Sequence, residues 1–107
     1  MSEYSDDVKK YAETFDEAVV AGIVKHCGIA LRSKDASLVS CSDKSERDRV
    51  RDSFLKKKLA LTDSDEDLDK AVMDVCQTMK ESPRKSRVTF YYLLAEKFGK
   101  QSLFIKK

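Results

Sequence analysis

The sequence predicts an all-α protein: a compact single-domain bundle of about five helices, spanning 1–107, around a central apolar helix near the C-terminus. Three observations predict it. Only three Gly and one Pro punctuate 107 residues, too little turn chemistry for a fold of many short strands. Long stretches rich in Ala, Leu, Glu, Asp and Lys carry apolar residues at helical spacing. One stretch, 86–99, is apolar over most of its circumference, as a helix in the middle of a domain must be. The length suits one domain that buries a modest core without staples.

The first helix is predicted over 3–12, capped by Ser2 or Ser5. Glu3, Asp6 and Asp7 suit the positive end of its dipole. Tyr4, Val8, Tyr11 and Ala12 form one apolar stripe. Asp16 and Glu17 open the second. Phe15, Val19, Ile23, His26 and Ala30 align within about 40° on the helical wheel, so this helix is expected to run to about Arg32. The other reading stops it at Gly28 as a C-terminal cap. Gly22 lies on the same face, and a glycine inside a helix costs about 1 kcal/mol relative to Ala. Close approach of a neighbouring helix would justify that cost.

Residues 33–43, rich in Ser, read as a loop that Leu38 and Val39 pin to the core. Asp43 is expected to cap a third helix running to about Leu59, with Glu46 as its capping-box partner. Val50, Phe54 and Leu61 are in phase along it, with Leu55 and Leu59 on an adjacent stripe. The fourth helix starts at Thr62 or Asp63, carries Leu68, Val72, Val75, Cys76 and Met79 inward, and ends near Glu81. Ser82 and Pro83 break it. The central helix follows. At about 100° per residue, Val88, Tyr91, Leu94, Ala95 and Phe98 share one face, and Phe90 and Leu93 cover much of the other. Val88 to Tyr92 is rich in β-formers, but Leu93 to Lys97 and Gly99 extend and stop a helix. The expected core is Val19, Ile23, Phe54, Leu68, Val72, Val75, Tyr91, Leu94 and Phe98.

Charge is abundant at 37% of residues, with a net of only +2, and it alternates in blocks. Residues 1–43 carry a net of −3, 44–58 +4, 59–82 −5 and 83–107 +6. The plain reading is complementary helices packed side by side. The sharper reading is a basic surface built from 44–58 and 83–100 that binds nucleic acid or phosphate. Its candidate anion-binding residues are Arg84, Lys85, Arg87, Arg47, Arg51 and Lys57.

His26, the only histidine, falls on an apolar helix face and reads as a packed, hydrogen-bonded side chain. Three cysteines, 27, 41 and 76, are odd in number and widely spaced, and read as reduced thiols. Cys27 and Cys76 sit on apolar faces; Cys41 is the expected exposed thiol. A zinc site from His26 and the three cysteines is disfavoured, because no Cys-x-x-Cys pair is present. Asp63, Asp65 and Asp67 imitate a calcium loop, but Leu68 stands where glycine is required and Asp74 where glutamate is. No cofactor or catalytic residue is assigned, and an enzyme is disfavoured. No apolar run approaches the roughly 20 residues of a membrane span, and no secretory signal opens the chain, so a cytoplasmic location is expected. The leading expectation is a non-enzymatic interaction module with a protein partner, including self-association. A nucleic-acid or phosphate-binding module is the alternative.

Four stretches, DEAVVAGIVKH at 16–26, ALRSKDASLVSCSD at 30–43, FLKKKL at 54–59 and KSRVTFYYLLAEKFGK at 85–100, together resemble a family of short bacterial proteins, domain of unknown function 2853. The resemblance covers nearly the whole chain. It implies a bacterial, cytoplasmic, mostly helical protein complete in 1–107, and it carries no activity, ligand or site residue with it.

Overall fold

The computed structural model describes residues 3–12, 15–28, 38–80 and 85–104. Among them the elements are all helical: α1 (Glu3–Lys9), α2 (Glu17–Cys27), α3 (Lys44–Arg49), a π-helix (Val50–Lys58), α4 (Asp65–Thr78), α5 (Arg87–Lys97) and a closing 3₁₀ turn (Gln101–Phe104). An isolated antiparallel bridge between Leu38 and Ser86 is the β-type pairing present.

α5 is the axis of the bundle, as expected. Its nine residues from Arg87 to Ala95 are all buried, and α1, α2, α4 and the 3₁₀ turn pack around it. Such a helix needs partners for its inward polar atoms. Thr89 Oγ1 donates to Asp7 of α1, and the Tyr92 hydroxyl accepts from the Asp16 backbone N–H at 2.9 Å. Gly99, at φ 66°, ends the helix, and the Lys100 N–H returns to Ala95 O at 2.8 Å. Of the expected core all but Phe98 are buried; Phe98 is half-buried at the margin. Leu94 is fully enclosed. Leu94→Ala is expected to cost about 2–5 kcal/mol in a urea titration. A loss near the ordinary surface value of about 0.5 kcal/mol would place Leu94 outside the core.

α2 stops at Cys27, earlier than the wheel suggested. Gly28 takes φ 46° and its N–H caps Val24 O, so the glycine works as a terminator. Residues 29–32, assigned to this helix from their phase, lie outside the described residues, as do Ser2, 33–37, Arg84 and Ile105. Gly22 does mark a close approach. A Cβ there would stand 2.2 Å from the Phe104 carbonyl oxygen and 2.7 Å from its Cβ. Gly22→Ala should cost about 1–3 kcal/mol by overpacking, against a helix-propensity gain of about 1. Increased protease sensitivity confined to residues 99–107 would show the displacement, and an unchanged or raised Tm would refute it.

The largest departure is in the third helix. Asp43 caps α3, its carboxylate accepting from Ser45 N–H at 2.9 Å. From Val50 the turns widen, and Leu59 N–H donates to Phe54 O, five residues back, at 2.9 Å. The apolar spacing explains it. Val50, Phe54, Leu55 and Leu59 are all fully buried. At about 100° per step Leu55 and Leu59 would point roughly 140° and 180° from Val50. With the wider i→i+5 turn, at roughly 80° per step, all four converge on one face. Glu46 makes no capping box and turns instead to Arg87. α4 is capped one or two residues later than expected, by Ser64, whose Oγ accepts from Asp67 N–H at 3.2 Å. It presents Leu68, Ala71, Val72, Val75 and Cys76 to the core.

Candidate functional site

The candidate cations lie on three elements, and the structure gives each described one a partner in the chain or a place at the surface. Arg87 opens α5 and is 7% exposed. It pairs with Glu46 of α3, donates to the Tyr91 hydroxyl at 2.9 Å and reaches the Leu38 carbonyl at 3.3 Å. Burial pulls its pKa down, but Tyr91 and Glu46 outweigh burial and hold it above the ordinary guanidinium value. Arg47 donates to the Cys41 carbonyl. Arg51 is ringed by three carboxylates: Asp52 at 2.9 Å, Asp69 at 3.0 Å and Asp48 at 3.3 Å. Lys57 is exposed on the π-helix, Lys85 is half-buried, and Arg84 lies outside the described residues.

The alternating blocks are therefore complementary to each other. Arg51–Asp69 and Lys56–Asp65 join the π-helix to α4, and Lys97–Asp74, at 3.2 Å, joins α5 to α4. Asp65 and Asp67, two of the calcium-loop imitators, sit in the first turn of α4. Tyr91 and Tyr92 are both buried, which removes them as stacking platforms for bases.

His26 differs from its expected place. It is exposed at the end of α2, against an aromatic group in which Phe54 stacks on Tyr91 with centroids 3.9 Å apart. Its own ring lies 5.9 Å from Phe54 and 6.3 Å from Tyr91 and Phe104. A helix ending at Cys27 puts His26 in the last turn, where the wheel's apolar face meets solvent. Partial burial and the nearby Lys58 charge hold its pKa below 6.5. The neutral ring is thus favoured in the folded state. Stability should fall as pH drops through and below 6.5, the value of an unfolded His. A Tm–pH profile of His26→Gln should lose part of that acid-side slope; an identical profile would refute the assignment.

The cysteines correct the sequence reading. Cys41 and Cys76 form a disulfide, with Cα atoms 5.9 Å apart across a sequence separation of 35. Cys41 is therefore not the exposed thiol, and Cys76 is not an unbonded filler. Spacing could not reveal this, because the two meet only when the 38–43 segment is brought against α4 by the fold. Cys27 alone remains free, half-buried, its pKa pushed up to about 11 by burial against the opposing pull of Arg87.

Elsewhere on the bundle a cavity of ≈ 480 Å³ opens between α4, α5 and Tyr11, which lies just past the end of α1. Val75 and Leu93 supply apolar lining, and Tyr11, Asp74, Thr78, Glu96 and Lys97 supply polar groups. Its volume falls within the few-hundred-Å³ range of ligand and side-chain pockets. Sequence reasoning missed it, since its lining comes from three segments and no motif joins them.

Fold and surface together define a small helical bundle with one apolar axial helix, cross-paired charge and an open polar cavity. The chain belongs to the family of proteins of unknown function DUF2853, whose profile matches residues 3–102. No curated protein matches it. No helix among the described residues is long and apolar enough to cross a membrane.

Proposed function

We propose that this protein is a non-enzymatic interaction module that binds a protein partner. The observation that carries the reading is the use of the basic blocks. Arg47, Arg51 and Arg87, three of the four arginines expected to meet a polyanion, are engaged by acceptors of the same chain. Counterion release by phosphate contacts needs cations free to approach the backbone. The cavity beside α4 and α5 is polar, with Asp74 and Glu96 against Lys97, a net negative lining that disfavours a phosphate chain. Met73, 48% exposed, lies on α4 beside Asp74 and adds an adaptable apolar contact. We place the module in a bacterial cytoplasm, the setting that the sequence resemblance implies.

Two measurements test this. Fluorescence anisotropy with labelled single-stranded and duplex oligonucleotides, across a salt series, is expected to show no micromolar binding. Quantitative pull-down is expected to retain a partner, or a second copy, that Thr78→Arg in the cavity releases. Oligonucleotide binding that weakens linearly in log–log with salt, and is lost on Lys57→Glu, would establish the nucleic-acid module in its place.

A further inference from the structure

We propose that Cys41 and Cys76 are a reversible thiol–disulfide couple whose oxidation state decides whether residues 38–43 are fastened to α4. The two sulfurs have different surroundings. Cys76 is 6% exposed on the inner face of α4, whereas Cys41 is half-buried in the connecting segment. An incoming thiolate therefore reaches Cys41. Arg47 stands beside it, its guanidinium donating to the Cys41 carbonyl. That bond is to the backbone and leaves the Cys41 sulfur open to attack.

At its far end the segment runs into α3, with Asp43 as the cap and Arg47 donating to the Cys41 carbonyl; its other ties are single contacts. Leu38 makes its single bridge to Ser86, Val39 N–H donates to Lys85 O at 2.8 Å, and Arg87 reaches the Leu38 carbonyl. Val39 is the one residue of 38–43 that is buried. Residues 38–42 form no helix or ladder of their own, so they open more readily than the helices once the covalent tie is gone. α5 itself packs against α1, α2, α4 and the 3₁₀ turn.

The exchange balances with a small thiol such as glutathione. One thiolate forms a mixed disulfide with Cys41 and expels Cys76, which takes up a proton. A second thiolate attacks the outer sulfur of the mixed disulfide, releases Cys41 and leaves oxidised glutathione. Two electrons pass to the protein and two protein thiols result. Oxidised glutathione reverses both steps. This couple reconciles a disulfide with a reducing compartment, where such bonds are transient and functional more often than structural.

The test uses the full chain in buffers of graded reduced-to-oxidised glutathione ratio, quenched with N-ethylmaleimide and counted by mass. Cys27→Ser removes the third thiol from the count. The pair is expected to pass from closed to open within the series. A bond closed at every ratio would mark a structural staple, since structural disulfides resist the glutathione pool. A bond open at every ratio would equally overturn the proposal. On reduction, amide exchange at 38–47 should quicken by roughly tenfold or more while Tyr91 to Leu94 stay protected. Acceleration along α5 to the same degree would show a global staple and not a local fastening. In reduced single variants, Cys41 in Cys76→Ser should react with maleimide at least roughly ten times faster than Cys76 in Cys41→Ser. Equal rates would remove the assignment of Cys41 as the attacked sulfur.

Discussion

Arg87→Ala is expected to destabilise the protein by about 3–5 kcal/mol, because it strands the other half of a buried ion pair. The Glu46 side chain is 13% exposed and the Arg87 side chain 8%. Removing the guanidinium leaves the Glu46 carboxylate only its 3.4 Å pair with exposed Arg49, and leaves the Tyr91 hydroxyl and the Leu38 carbonyl short of a donor. Each unpaired buried group costs its own desolvation. Glu46→Gln should be milder, since an amide oxygen still accepts from the guanidinium. The informative variant is the double Arg87→Met, Glu46→Leu. Replacing both charges with apolar groups of similar size is often neutral or stabilising, so the double variant should recover most of the single loss. Urea titrations followed by circular dichroism would read this as a shift in midpoint at constant slope. If Arg87→Ala loses less than about 1 kcal/mol, the pair behaves as an exposed bridge and the buried hub is wrong.

Phe54→Ala is the second large effect, expected at about 3–5 kcal/mol. The ring is fully buried, stacks on Tyr91 and lies 5.9 Å from Phe104. Its loss opens a cavity between the π-helix, α5 and the C-terminal turn. Because it also holds one wall against His26, the variant should shift the His26 titration toward 6.5 as the imidazole gains water. Proton NMR of the His26 ring measures that shift. Phe54→Leu should recover more than half of the stability, since it restores most of the apolar volume. A loss from Phe54→Ala within the ordinary surface range would mean that Val50 to Leu59 do not converge as the wide turns require.

Those two sites show where sequence reasoning reached and where it stopped. The helical class and the place of α5 were legible because apolar periodicity and end signals act locally. Gly22 was legible as a close approach, since a mid-helix glycine carries a cost that needs a reason. The wide turn at 50–58 left its own trace, in apolar residues spaced four, five and nine along, but that period was read as two stripes of an ordinary helix. The hub of Glu46, Arg87 and Tyr91 was hidden, because the same arginine served equally well as a surface cation.

By itself, the sequence determined the helices, their approximate ends, the apolar axis at 86–99 and the charge blocks that pair across the bundle. Each of these is set by neighbours within a turn or two, or by composition. Tertiary structure alone decided the Cys41–Cys76 bond, the burial of Arg87, the exposure of His26 and the cavity beside α4 and α5. Each of those depends on residues tens of positions apart being brought to within a few ångströms, and contact at that range has no periodicity to read.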